Sequence, residues 1–488
     1  MPKNIVWICT DQQRADSLGC MGNPHAHTPR LDALAESGTL LNRLISPHPV
    51  CMPSRASMLS GCVPLRHGVV TNGVALGRRG PDDHALRSHV PTMADHLADH
   101  GYHTRCIGKL HLEPHQPPRD AGFRESYAAW AAGDNDGWFG PHFGFEHCEL
   151  TENHAAQPGG AYIRWMREHR PEAAAALEDQ NGWPARPCAL GDLQPVPIEE
   201  ELFSTMWLAE RAAAFFESDE ARERPFFCWL GILDPHHPWQ IPQTLADRFG
   251  DAAFLEPTRD AKQNPVSIWA GDSFKDNRLD RLDDPDLCEA MVRRYTDAQN
   301  ALIDRAVGRV IDSLEATNLW DDTVLLFTSD HGDFLGDYGL IRKTNVSCVS
   351  LNHVPGVMHD PGGSLPSTVH RVCSGLDLGP TLCHAAGVPW ATHDGHALQD
   401  GATGEAFVQC AHGQSESGPP SFSIWTDHER YSWYPTTGEA EYHDHRVDPH
   451  EIHNAADAQP DRCVELKSRL LEHVAETASP NAARVSGW

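Results

Sequence analysis

The chain has no C-x-x-C pair, although it has 14 cysteines in 488 residues. That spacing excludes a zinc ribbon or a thioredoxin-type redox site. No run of about 18 apolar residues exists, so no membrane span is expected. The first residues, Met1 to Asp11, lack the apolar core and cleavage site of an export signal and lead straight into an expected strand. A reducing cytoplasm with free thiols is the expected location. Positive charge is scarce: 39 Lys and Arg stand against 68 Asp and Glu, for a net charge of −29. A nucleic-acid surface needs clustered Lys and Arg, so that class is excluded, and an anionic substrate must be drawn in by local positive charge. No internal repeat or low-complexity tract is found.

Four short apolar runs are present. They are Ile5–Thr10, His103–Ile107, Pro225–Leu233 and Thr323–Thr328. Most are continuous rather than alternating, as expected of strands buried on both faces. Helical patterns lie between them, over 29–37, 90–100, 200–217 and 291–316. Alternating strands and helices imply an α/β fold with a large, mostly parallel sheet flanked by helices. Residues 121–197, rich in Trp, Gly, Pro and His, read as an irregular excursion that shapes a pocket, and 254–286 as a further loop. Past about Gly387 the text turns to short antiparallel strands and a closing helix over 462–476. The expected division is a catalytic domain over 1–386 and a smaller C-terminal α+β subdomain, carrying a short antiparallel sheet, over 387–488.

In a parallel sheet the ligand sits beyond the carboxyl ends of the strands. Each run ends in a polar cluster there: Asp11-Gln12, Gly108-Lys109-Leu110-His111, Asp234-Pro-His236-His237-Pro, and Ser329-Asp330-His331-Gly332. Asp11 and Asp330, with Gln12 and His331 beside them, offer oxygen and imidazole donors suited to a hard divalent cation. Singly, either Asp would read as a helix cap. The segment Cys51-Met-Pro-Ser-Arg-Ala-Ser-Met-Leu-Ser-Gly61 puts a thiol at an expected helix start, where unpaired N–H groups favour an anion. Arg55 adds a forked cation suited to tetrahedral oxyanions.

Cys51, Pro53, Ser54, Arg55, Leu59 and Gly61 form C-x-P-S-R-x-x-x-L-x-G, which resembles the signature of type I sulfatases of the alkaline-phosphatase-like superfamily. Asp16-Ser-Leu-Gly, His27-Thr-Pro-Arg-Leu-Asp32, Asp120-Ala-Gly-Phe123 and Leu376-Asp-Leu-Gly-Pro-Thr381 are similar to sulfatase sequence too. The resemblance implies a formylglycine made from Cys51 by a formylglycine-generating system. It implies one divalent metal on Asp11, Gln12, Cys51, Asp330 and His331, Ca²⁺ first, with Mn²⁺ or Mg²⁺ as alternatives. Gln12 and His331 replace the second acid and the asparagine of many members, as in choline-sulfatase-like enzymes and phosphonate monoester hydrolases. Asp330 is then also the acceptor of the nucleophile's proton, and Arg55 holds the nucleophile. Lys109 and Lys343 contact the sulfuryl group, and His111 is the base that releases sulfate. His236, from the family's P-H-x-P pattern, serves the leaving oxygen, with His237 as the alternative ring. Asn72 aligns with a substrate contact, although a type I′ turn at Asn72-Gly73 also explains it. The implied activity is hydrolysis of a small-molecule sulfate monoester, with promiscuity toward related anions. The alternatives are a phosphonate monoester or phosphodiester hydrolase, and a non-catalytic binder of sulfated ligands. Homo-oligomers occur among relatives.

Overall fold

In the computed structural model, residues 2–477 are described except 74–84, 155, 157–158, 259, 261, 271, 393 and 411–419. The main sheet has eight strands: β1 Asn4–Asp11, β2 Thr39–Leu41, β3 His103–Gly108, β4 His147–Leu150, β5 Phe226–Pro235, β6 Thr323–Ser329, β7 Gly356–His359 and β8 Thr368–Val369. Their order is β8-β2-β7-β6-β1-β5-β3-β4. Strands β6, β1, β5, β3 and β4 run parallel, and β7 lies antiparallel to β6 and to β2.

Continuous apolar runs become central strands because both faces of the sheet are covered. In β1, Val6 and Ile8 face one core, while Ile5, Trp7 and Cys9 face the other. The first core is closed by Ser204–Glu217 and the long helix Pro285–Ala316. That helix starts earlier than its apolar periodicity, because Asp284 caps it and Pro285 occupies its first turn. Met52, Met58 and Leu97, from helices Cys51–Ser60 and Met93–Asp99, enter the second core. Trp7 and Trp229 meet edge to face there, with centroids 5.2 Å apart.

The excursion over 121–197 is more regular than its composition implies. It contributes edge strand β4 and the helices Gly160–His169 and Pro171–Glu178. The 254–286 stretch carries short helical turns. Beyond it, β9 Glu405–Cys410, β10 Ser421–Thr426, β11 Glu429–Trp433 and β12 Ala440–Asp444 form an antiparallel sheet in sequential order. One face of this sheet packs on Leu466 and Leu470 of the closing helix Pro460–Thr477. Its other face sets Val408 and Trp425 against Ile45 and Val372 of the main body. Trp425 Nε1 donates to Ser347 Oγ at 3.1 Å, and Tyr338 OH donates to the His450 carbonyl at 2.7 Å. The small sheet thereby braces the segment that carries Lys343.

Strands β5 and β3 approach too closely for a side chain at Gly231, where a Cβ would collide with the Lys109 carbonyl. Gly231→Ala is expected to lower unfolding stability by about 1–3 kcal/mol, the usual range for overpacking. Urea unfolding monitored by circular dichroism checks this; an unchanged midpoint would contradict it.

Candidate active site

The four polar clusters meet at the carboxyl ends of β1, β3, β5 and β6. Cys51 is the first residue of its helix, after the extended Val50. Asn72 Oδ1 accepts the Met52 N–H at 3.1 Å, which satisfies one of the unpaired donors of that first turn. Gly73 has φ 68, but Asn72 has no positive φ, so the alternative type I′ turn is not formed. The hydroxyls of Ser54 and Ser46 donate to the Asp330 carbonyl at 2.6 and 2.7 Å. They lock this helix to the end of β6.

Arg55 lies one turn after Cys51, on the same helix face. Its side chain is fully buried. Nε donates to Asp330 Oδ2 at 2.7 Å, and Nη1 donates to the Lys109 carbonyl at 2.8 Å. Nη2 stands 3.5 Å from Asp11 Oδ2. One guanidinium thus joins the ends of three strands. Burial would lower its pKa, but Asp330 raises it well above the ordinary value.

Asp11, Cys51, Asp330 and His331 are all buried, and each turns one donor atom into a space where these atoms lie within 4.8 Å of one another. His331 Nδ1 lies 2.9 Å from the Gly332 carbonyl, so Nδ1 carries the proton and Nε2 presents a lone pair. Burial pushes this imidazole down to about 4. Nε2 faces the Cys51 thiol at 3.2 Å and oxygens of Asp11 and Asp330 at 3.7 Å each. Neutral imidazole and carboxylate lone pairs facing one another beyond hydrogen-bond distance fit a shared divalent cation. Burial, then Asp11, pushes the Cys51 thiol up to about 11.

Lys109 is buried and pairs with Asp11 Oδ2, while its Nζ lies 2.8 Å from His154 Nε2. Burial alone would raise the Asp11 carboxyl, yet Lys109, then His236, hold it well below the usual range. Lys343 Nζ lies 2.6 Å from His236 Nε2 and 2.7 Å from Gln12 Oε1. Two of the chain's six lysines therefore stand in this one site. The His236 and His154 rings stack 3.6 Å apart at 8°, and His237 stacks on His236 at 4.1 Å. Burial, then His154 and Lys343, holds His236 well below its ordinary value.

Gln12 reaches Asp330 through its backbone N–H, at 3.0 Å from Oδ1. Its side chain lies between Lys343, His237 and Asp333. His111 follows Lys109 in the turn after β3, with its ring stacked on His115. Two further residues join the site without a sequence signal: His154, one of 31 histidines, and Asp333, a carboxyl pushed by burial to about 6 that bonds Gln12. His154 lies four residues beyond the end of β4, so nearness to a strand end was the one available clue.

The family model for sulfatases matches residues 3–388. The chain belongs to the sulfatase family. An arylsulfatase of Clostridium perfringens is 28% identical, over 96% of this chain and 92% of its own. A choline-sulfatase of Rhizobium meliloti is 28% identical, over 81% of this chain and 70% of its own. The crystal structure of a phosphonate monoester hydrolase of Agrobacterium radiobacter shares the fold with a TM-score of 0.77, at 22% identity, covering 97% of this chain and 96% of that one. Among the described residues, no helix of this sulfatase is long and apolar enough to cross a membrane.

Asp330→Asn removes one of the two carboxylates facing the cation space and weakens the ion pair with Arg55. The variant is expected to bind Ca²⁺ or Mn²⁺ at least about tenfold more weakly, the lower end of losses on altering a metal's surroundings. Isothermal titration with each metal reads this, and parental affinity would contradict the site.

Proposed function

We propose that this sulfatase hydrolyses sulfate monoesters to an alcohol or phenol and sulfate, using a formylglycine made from Cys51. The supporting observation is the position of Cys51. Its thiol lies at a helix start, against the converging donors of Asp11, Asp330 and His331. When formed, the hydrated aldehyde supplies an oxygen nucleophile that is restored after each turnover. Asp11, Asp330 and His331 would hold the divalent ion with the residue-51 side chain, and Gln12 would join from beside Asp330. Two acidic oxygens favour Ca²⁺, with Mn²⁺ or Mg²⁺ as alternatives.

The protein's own groups then divide the work. Asp330 accepts the proton of the attacking hydroxyl, while Arg55 keeps that carboxylate in place. Lys109 and Lys343 meet the sulfuryl oxygens, where their charge offsets a strongly acidic chain. Asn72 lines the same helix start. His236 and Lys343, 2.6 Å apart, act as one unit at the leaving oxygen. Lys343 supplies charge and a proton, and the neutral ring orients it. His111 takes the proton that lets sulfate depart. Residues 1–386 would carry this chemistry, and 387–488 would brace it. Maturation requires a formylglycine-generating system, and 14 free thiols favour a reducing compartment.

The Lys109-x-His111 pair favours sulfate esters over phosphonates. kcat/KM for an aryl sulfate is expected to exceed that for a phenyl phosphonate monoester, and the reverse order would overturn the choice. Cys51→Ala is expected to keep the melting temperature and abolish turnover; a Cys51→Ser variant with full activity would exclude the aldehyde. His236→Ala should cost about 10²–10⁴-fold in kcat/KM on alkyl sulfates, the range for lost acid–base assistance, and much less on a nitrophenyl sulfate. Equal losses on both would remove His236 from the leaving oxygen.

A further inference from the structure

Behind the Gly108–His111 turn lies a buried group that the steps above do not use. Glu125 is fully buried, and its carboxylate accepts the backbone N–H groups of His111, Leu112 and Glu113 at 2.5, 2.9 and 3.1 Å. That turn is strained, because His111 has φ 59, in the left-handed region that non-glycine residues seldom occupy. The His111 ring stacks on His115, with centroids 3.7 Å apart at 23°. His115 Nε2 lies 2.5 Å from Glu152 Oε2 and 3.4 Å from Glu125 Oε2. Its Nδ1 meets the Tyr127 hydroxyl at 3.2 Å. Glu152 is fully buried, and neither of its carboxylate oxygens has a hydrogen-bond partner of good geometry, Oε2 meeting His115 by proximity alone. Such a carboxylate is costly to keep unless its charge has a counter-ion. The counter-ion it touches is His115.

We propose that Glu152 and His115 are positioning residues for His111: Glu152 holds a protonated His115 ring as a fixed shelf beneath the His111 ring, so that His111 stays neutral and works as a proton acceptor. This rests on the reading of His111 as the base that releases sulfate. In that step a proton passes from the remaining hydroxyl of residue 51 to His111. The C–O bond to sulfate breaks, and its electron pair leaves with the sulfate. The aldehyde carbonyl re-forms. A ring that already holds a proton cannot take this one.

The surroundings agree with the geometry. Burial would lower His115, but Glu152 and Glu125 raise it above its ordinary value. Burial, then His115, Lys109 and Arg55, holds His111 well below its ordinary value, with Asp11 acting in the opposite direction. A base works deprotonated, so its activity is lost as pH falls through its pKa. The shelf therefore moves that loss to more acid pH.

The first test uses unmodified protein with ¹⁵N-labelled histidine. The His111 ring signal is assigned by its absence from a His111→Ala variant. The ring is expected to stay neutral from about pH 5.5 to 8, whereas an isolated imidazole titrates near 6.5. A His111 that titrates near 6.5 in the parent protein overturns the proposal without any variant in the buried cluster. In His115→Gln and Glu152→Gln the ring should titrate at higher pH than in the parent, because the His115 charge is lost while burial, Lys109 and Arg55 remain. In converted enzyme, both variants should lose more kcat than the parent between pH 7.5 and 5.5, with KM unchanged. The parent should lose less than about twofold over that range, since its base stays deprotonated throughout. If His111→Ala retains full turnover, the reading of His111 itself fails. If His111→Ala collapses turnover while both glutamine variants keep the parental profile, the shelf alone is overturned.

Discussion

The site depends on a single buried guanidinium. Arg55 bonds Asp330 at the end of β6, the Lys109 carbonyl beyond β3, and approaches Asp11 at the end of β1. Without it, two carboxylates and a lysine would stand at the rim of a buried sheet with no common partner. Burying these charges is tolerated only because each finds an opposite charge in hydrogen-bonding geometry. The helix that carries Arg55 also carries Cys51, so the anchor and the reactive side chain move as one body. Ser46 and Ser54 repeat the attachment by holding the Asp330 backbone.

The layers of the fold serve that arrangement. A central sheet buried on both faces gives strand ends that cannot shift independently, and chemistry placed there inherits their rigidity. Gly231 lets β5 and β3 close on each other, and the Lys109 carbonyl that Arg55 grips is also the carbonyl that a side chain at 231 would strike. The C-terminal sheet acts at longer range. Through Trp425–Ser347 and Tyr338–His450 it holds the segment on which Lys343 reaches across to His236.

The strands and their polar ends were legible in the sequence for a physical reason. A strand buried on both faces must be a continuous apolar run, and a parallel sheet must present its ligand groups where those runs stop. That logic found Asp11, Lys109, His236 and Asp330 with their neighbours, and the C-x-P-S-R pattern found Cys51 and Arg55. Less regular segments hid the rest. His154 sits one short edge strand into a stretch whose composition is that of a loop, yet its ring stacks on His236. Glu125, His115 and Glu152 are brought together by a turn with a left-handed residue, which no periodicity announces. Asp333 reads as one acid in a polar loop until burial against Gln12 gives it a place. Gln12 was read as a donor from its position; its contacts to Lys343, His237 and Asp333 had no signal in the sequence.

The central claim is that the oxygen nucleophile comes from an aldehyde made at position 51. The most direct measurement correlates two quantities across preparations with different degrees of maturation. One is the fraction of position 51 present as aldehyde, from mass spectrometry of the peptide that contains it. The other is turnover of an aryl sulfate per chain at saturating metal. Turnover proportional to the aldehyde fraction, and reaching zero with it, is the predicted result. Full turnover from a preparation whose Cys51 is entirely thiol would contradict the account.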